Sequence, residues 1–105
     1  KDVQNTAETI TEGQYKNNRD IISIHAPNAT SIGEGAFFDC NNLQQASFPQ
    51  VTSIGVTAFQ FCGKLQEVNF PKATSIGHEA FWSCKNLQQV CFPKATSIGK
   101  HAFGE

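Results

Sequence analysis

Hydrophobic and polar positions recur with a fixed period along the chain. Proline stands at Pro27, Pro49, Pro71 and Pro93, a constant step of 22 residues with no insertion or deletion between copies. Other columns keep the same step and carry Ile, Gly, Ala, Phe and Cys. A period of this length indicates one supersecondary unit stacked several times. The chain is therefore predicted to be a solenoid, in which each coil buries its apolar positions against its neighbours.

One short segment of each unit has the alternation of a β-strand. In the last copy, Val90 and Phe92 fall on one face, and Gln89 and Cys91 fall on the other, which is the period of a strand. The following proline closes the segment because it has no N–H to donate to a ladder. Identical strands at a constant interval stack in parallel, about 4.8 Å apart. We expect a narrow parallel β-sheet on the concave side, with strands near residues 22–26, 44–48, 66–70 and 88–92.

The second half of each unit has a different spacing. After Gly77 the apolar residues are Ala80, Phe81, Cys84 and Leu87, which is a helical pattern. It predicts short helical turns on the convex side, each starting at a glycine whose backbone adopts conformations closed to other residues. At the corner between strand and helix, a column of threonine hydroxyls is expected to meet across adjacent coils: Thr30, Thr52, Thr74 and Thr96. The predicted fold class is an α/β repeat solenoid with a right-handed coil.

The repeat register also runs upstream of the clear copies, back to Ile10. In this first copy Tyr15 stands where the others have Phe, and Gln14 stands where they have Ala. A more polar terminal unit is typical of a capping repeat, whose outer side faces water. We expect residues 1–21 to form a degenerate N-terminal cap, and residues 22–105 to form about four units, the last one incomplete.

Composition narrows the classes of function. The net charge is −1 and the hydrophobic share is 39%, with nine Phe. This charge argues against nucleic acid or an anionic membrane as a partner. The sequence has no run of 18 apolar residues, so insertion into a membrane is not predicted. The first residues lack the apolar core of a signal peptide, which fits either a trimmed secreted chain or an intracellular one.

The unit L-x-x-V-x-F-P-x-A-T-S-I-G-x-x-A-F-x-x-C resembles the BspA-type leucine-rich repeat, also called the treponemal type. The resemblance covers about residues 10–103. The unit is one residue shorter than is usual in that family, and Phe replaces the usual aliphatic residue before Pro. The resemblance implies a secreted or cell-surface protein of a bacterium or protist. It also implies that the repeats form a binding or adhesion surface and that there are no catalytic residues to carry over.

Three aromatic residues outside the core columns are candidates for binding a partner. Phe38 and Trp82 share one column, and Phe61 lies in the next column on the coil between them. If these columns face outward on the convex side, three large aromatic side chains lie within about 10 Å. Exposed patches of this kind mark interaction sites. The alternative is that the three rings lie over the helical turns and complete the hydrophobic layer.

The concave face is predicted to be polar, and extended concave surfaces of solenoids commonly bind ligands. Its outward column contains the partner-binding candidates His25, Ser47, Asn69 and Cys91. The face lacks aromatic anchors, so weak or avidity-dependent binding of a protein or glycan is expected.

The cysteines and histidines of the sequence do not indicate a catalytic or metal site. Cys40, Cys62 and Cys84 are spaced by 22 residues, unlike the close pairs of a zinc site, and are expected to be reduced core thiols. His78 and His101 lie on neighbouring coils without a third ligand. Cys91 differs, because an outward strand position makes it a candidate exposed thiol that could crosslink a dimer. We therefore expect no catalytic residues, no cofactor and no metal.

The sequence stops halfway through a unit, at Phe103–Glu105. Three explanations remain open: a chain cut from a longer array, a dimer formed through this end, or a final half-unit that serves as a cap. Self-association through an open parallel edge is expected in the first two cases. The leading hypothesis for function is a non-enzymatic extracellular interaction or adhesion module. The alternative is a structural spacer or stalk within a longer surface protein.

Overall fold

The computed structural model describes residues 1–104, which contain ten short β-strands. The strands, in chain order, are β1 (Asp2–Gln4), β2 (Thr9–Ile10), β3 (Ser23–His25), β4 (Ser31–Ile32), β5 (Gln45–Ser47), β6 (Ser53–Ile54), β7 (Glu67–Asn69), β8 (Ser75–Ile76), β9 (Gln89–Cys91) and β10 (Ser97–Ile98). Each coil of the solenoid contributes one odd-numbered and one even-numbered strand. The chain thus rises by one coil for every pair of strands.

The odd-numbered strands form the first sheet, in the order β1-β3-β5-β7-β9. All its pairs are parallel, and Ala46 of β5 pairs with Val68 of β7, 22 positions later. The predicted parallel stack is therefore confirmed, and β1 extends it by one strand beyond the four expected. Within each strand the middle residue points inward, as Ile24, Ala46 and Val68 do. The flanking residues point out.

The even-numbered strands form a second parallel sheet, in the order β10-β8-β6-β4-β2, which the sequence pattern did not predict. Each strand contains only two residues, the Ser-Ile pair before glycine or, in β2, the Thr-Ile pair before Thr11. Ile32 pairs with Ile54, which pairs with Ile76. Two residues are too few to show an alternation in sequence. The sheet forms because the same pair returns at the same height on every coil.

The prediction of short helical turns on the convex side is wrong, since residues 1–104 contain no helix. Two positions in each convex segment have left-handed backbone, as at Glu79 (φ 56°) and Ser83 (φ 61°). A right-handed helix cannot pass through such residues. The apolar spacing after Gly77 arises instead from a run of turns, in which the Ala80 amide donates to the Gly77 carbonyl at 3.3 Å.

Coil spacing gives the physical reason for these turns. Alternate amides of the convex segment donate to the next coil, as Phe37 does to the Ala58 carbonyl and Phe59 to the Ala80 carbonyl, both at 2.7 Å. The rings of Phe37 and Phe59 are 4.9 Å apart. An α-helix with its side chains is about 10 Å wide, so helices could not stack at this interval.

Two columns of aromatic rings fill the interior. One follows the Ala-Phe motif, with consecutive centroids 4.9–5.3 Å apart and nearly parallel planes; its members are Tyr15, Phe37, Phe59, Phe81 and Phe103. The other follows the Phe-Pro motif, with centroids 5.2 and 5.4 Å apart; its members are Phe48, Phe70 and Phe92. The prediction that each coil buries its apolar positions is thus confirmed, since in the central coils the side chains before Pro, before Gly and after Ala are buried.

The glycine that precedes the convex segment in the later coils, as Gly77 does, has a different role from the one predicted. Gly77 does not have positive φ. A Cβ atom built on it would lie 2.6 Å from the Val56 nitrogen and 2.7 Å from the Gly55 carbonyl carbon of the preceding coil. The position therefore requires glycine because two backbones approach closely there.

The threonine column lies at the expected corner, but its hydroxyls bond to backbone. Thr52 Oγ1 donates to the Thr30 carbonyl and Thr74 Oγ1 donates to the Thr52 carbonyl, each at 3.2 Å. The amides of Thr52 and Thr74 donate to the same carbonyls at 2.9 Å. Each threonine thus ties its coil to the preceding one through two donors.

Residues 1–21 contribute β1 and β2 to the two sheets, in register with the following coils. Tyr15 continues the aromatic column, and its hydroxyl accepts a hydrogen bond from Asn5 Nδ2 at 2.8 Å. A capping role for this coil stays a proposal that a deletion variant would test.

Candidate functional site

The outward residues of the first sheet line a groove of about 790 Å³. It runs across β3, β5, β7 and β9 and contains all four predicted concave candidates, His25, Ser47, Asn69 and Cys91. His25 pairs with Ser47 and Asn69 pairs with Cys91 across adjacent strands. Because the sheet is parallel and in register, these side chains form one continuous row across the groove.

A second row lies beside the first and is partly hydrogen-bonded within itself. Gln45 Nε2 donates to Glu67 Oε1 at 2.9 Å, and Ser23 Oγ donates to Asp2 Oδ1 at 2.6 Å. No aromatic side chain is among the groove residues, as the sequence predicted. The groove is therefore a polar surface that offers amides, hydroxyls and carboxylates to a ligand.

The thiols of the cysteine column lie in the interior and serve as hydrogen-bond donors. Cys40 and Cys62 are buried and Cys84 is half-buried. Sγ of Cys62 donates to the Phe37 carbonyl at 3.2 Å, and Sγ of Cys84 donates to the Phe59 carbonyl at 3.1 Å. Each bond links a coil to the preceding one.

Burial makes these thiols weak acids. Loss of solvation raises the pKa of Cys40 to about 11 and the pKa of Cys84 to about 12. The same cause raises the pKa of Cys62 well above its ordinary value, with a smaller contribution from the neighbouring thiols. Thiols with raised pKa are poor nucleophiles. Cys91, by contrast, is exposed in the groove.

The three aromatic candidates on the convex side do not form a single cluster. Phe38 and Phe61 meet edge to face, with ring centroids 5.6 Å apart. Trp82 packs instead against His101, with centroids 5.7 Å apart. The backbone of Phe61 nevertheless lies beside that of Trp82, because the Phe61 amide donates a hydrogen bond to the Trp82 carbonyl at 2.9 Å. The structure thus joins two of the three residues and separates the third.

Phe61 has a backbone conformation that sequence reasoning missed. Its φ is 66°, a region that bulky side chains avoid at a cost of about 1–2 kcal/mol. The equivalent residues of other coils, with φ of 59–61°, are Asn17, Asp39 and Ser83. Aligning the columns reveals this departure, since Phe replaces small polar residues, of which Asn and Asp visit left-handed backbone most readily.

The histidines on neighbouring coils do not converge. The Nδ1 atom of His78 accepts a hydrogen bond from the Lys100 amide at 2.7 Å, and His101 packs on Trp82. Within residues 1–104, no group of three His, Cys, Asp or Glu side chains is placed to hold a metal ion. None of the described residues belongs to a helix long and apolar enough to cross a membrane.

Two solved bacterial structures resemble this solenoid. The leucine-rich repeat protein TpLRR of T. pallidum matches with a TM-score of 0.69 and 25% identity, over 78% of this chain and 53% of that one. A leucine-rich cell surface protein of Faecalibacterium prausnitzii A2-165 matches with a TM-score of 0.72 and 25% identity, over 92% of this chain and 34% of that one. The chain thus spans about half of the T. pallidum protein and about a third of the F. prausnitzii protein.

Sequence comparison gives the family directly. No curated protein matches the chain. The sequence profile described as "BspA type Leucine rich repeat region" matches residues 3–105 in six copies. The match covers nearly all of the sequence and includes the Pro, Ile-Gly, Ala-Phe and Cys columns that build the two sheets and the core. The chain belongs to the BspA-type leucine-rich repeat family.

Proposed function

We propose that this chain is a non-enzymatic interaction module that binds a protein or glycan through the groove of the first sheet. The observation that carries the proposal is the groove of about 790 Å³, lined by outward side chains of β3, β5, β7 and β9. Leucine-rich repeats form extended concave surfaces of this kind, which suit long ligands.

The composition of the groove defines the type of ligand that fits. His25, Asn69 and Cys91 are exposed, and Ser47 is half-exposed. Such side chains hydrogen-bond polar groups but contribute little apolar burial, and binding hot spots are usually aromatic or Arg. Affinity for one module is therefore expected to be weak and to grow when several copies engage one ligand.

We also propose that the chain acts outside the cell. One similar structure is described as a leucine-rich cell surface protein, and the chain shares its fold. Adhesion to a host or neighbouring macromolecule would use the groove as the contact surface. The exposed Cys91 would then lie in the ligand-facing row, open to oxidation or crosslinking.

Binding to an array of extracellular-matrix proteins and glycans tests the function. We would compare the natural chain with a groove variant that carries His25→Ala, Ser47→Ala and Asn69→Ala. Loss of a specific signal in the groove variant, with an unchanged melting temperature, is the expected result. The matched control is a variant with Phe38, Phe61 and Trp82 replaced by polar residues, which alters the convex side only.

The same experiment distinguishes this function from the alternative, in which the repeats are a spacer. A spacer would give no array signal with either the natural chain or its variants. A signal that survives the groove substitutions but disappears with the aromatic ones would reject the groove and assign binding to the convex side.

A further inference from the structure

The fold does not explain why residue 61 is phenylalanine. The side chain is 42% exposed, and its backbone is left-handed. The core columns of Phe are complete without it, since they pass through Phe59 and Phe70. An Asn at this position, as Asn17 is in an earlier coil, would suit the backbone better. Residues held in strained backbone conformations are concentrated at functional sites.

Phe61 belongs to a small surface with both apolar and charged parts. Its ring meets Phe38, and Nζ of Lys16 lies 5.3 Å from the centroid of the Phe38 ring. Beside Phe38 is a notch of about 180 Å³. Its remaining lining consists of Glu12, Gly13, Glu34, Gly35 and Thr57. The two glycines, with φ of 62–63°, leave space, and the two glutamates line it with carboxylates.

We propose that Phe38, Phe61 and this notch form a second docking surface, which takes a protein segment carrying a Lys or Arg beside an apolar side chain. The apolar side chain would cover the exposed Phe61 ring, because exposed apolar patches mark interaction sites. The cation would enter the notch, whose lining includes two acidic residues, Glu12 and Glu34, and one basic residue, Lys16. The contact of Lys16 with Phe38 illustrates that the ring face accepts a cation.

This surface is separate from the groove of the proposed function. It lies on the convex turns that follow β2, β4 and β6, whereas the groove lies on the first sheet. The two surfaces share no lining residue. A failure at one surface therefore leaves the other untouched, and substitutions can address each alone.

The test uses three synthetic peptides of equal length, built from Leu and Lys, from Leu and Glu, and from Ser and Lys. The single tryptophan, Trp82, adjoins Phe61 through a backbone hydrogen bond, so its fluorescence reports binding. The Leu-Lys peptide is expected to bind with a Kd of roughly 1 mM or tighter. Phe61→Asn should weaken it about tenfold or more, and Glu34→Gln should weaken it severalfold. The other two peptides should bind much less.

Two controls separate binding from folding. Phe61→Asn should keep or raise the melting temperature, because Asn suits the left-handed backbone. Ile22→Asn removes another exposed apolar side chain, 43% exposed, and should leave peptide binding unchanged. The proposal is overturned if Phe61→Asn binds the Leu-Lys peptide as well as the natural chain does, or if Ile22→Asn weakens binding equally. Equal binding of the Leu-Glu peptide, or a melting temperature lowered by more than about 4 °C in Phe61→Asn, overturns it as well.

Discussion

At the scale of single residues, left-handed backbone shapes every convex segment. One of its two positions per coil is Gly13, then Gly35, then Thr57, with φ of 63°, 62° and 56°. Threonine is β-branched and is strained in this region. The fold evidently tolerates the strain in some coils and avoids it with glycine in others.

Replacing Thr57 by glycine should therefore stabilise the chain. Removal of the left-handed strain returns about 1–2 kcal/mol, and the greater freedom of glycine in the unfolded chain costs about 0.5–1 kcal/mol. The hydrogen bond from Thr57 Oγ1 to the Val56 carbonyl is exposed, so its loss matters little. We expect the free energy of unfolding in urea to rise by about 0.5–1 kcal/mol. The reverse change, Gly35→Thr, should lower it; a stabilised Gly35→Thr would contradict the argument.

The buried thiols predict a loss of stability in alkali. Burial raises the pKa values of Cys40 and Cys84 to about 11 and 12, whereas a thiol in the unfolded chain titrates near about 8.5. Between these values the folded chain holds protons that the unfolded chain has released. The buried thiols therefore leave the free energy of unfolding unchanged below about pH 8.5. They lower it as the pH rises toward 11–12, by up to about 1.4 kcal/mol per pH unit for each thiol.

Urea midpoints measured from neutral to alkaline pH check this slope. Cys84→Ala should make the alkaline fall shallower, because one titrating group is removed. Cys91→Ala serves as the matched control, since it removes a thiol that is exposed and not buried. The same alkaline slope in the natural chain and in Cys84→Ala would show that other groups cause the fall.

At the scale of the structural element, close backbone contact between coils explains the glycine column Gly33, Gly55, Gly77 and Gly99. A Cβ atom on Gly77 would lie 2.6–2.9 Å from backbone atoms of Gly55 and Val56, and backbone atoms cannot rotate away. Gly77→Ala should therefore cost about 3 kcal/mol or more. Gly63→Ala is the matched control, because a Cβ there meets nothing within 4 Å. Equal urea midpoints for the two variants would contradict the close approach.

The convex element shows why part of the fold could not be predicted from the sequence. Apolar spacing after Gly77 fits a helix, but the same spacing fits turns that point every apolar side chain inward. The residue types at Thr57, Phe61 and Glu79 do not predict the left-handed φ that these residues adopt. The first sheet and the aromatic columns were predictable because a repeated residue in a stacked coil must meet its own copy.

The candidate site was predictable to a similar degree. Strand alternation placed His25, Ser47 and Asn69 correctly in the groove. Column alignment alone could not show that Phe38 contacts Phe61 while Trp82 turns toward His101. Side-chain direction on the turns depends on the backbone, which a period of 22 residues does not reveal.

At the scale of the whole molecule, stability is carried from coil to coil. The ring of Phe59 stacks on Phe37 below and on Phe81 above, at 4.9 and 5.2 Å. In a repeat protein each coil contacts only its neighbours, so stability is nearly a sum of nearest-neighbour terms. A surface for a partner can therefore vary on any coil without disturbing the others, which suits a module whose groove is polar and whose aromatic column continues from coil to coil.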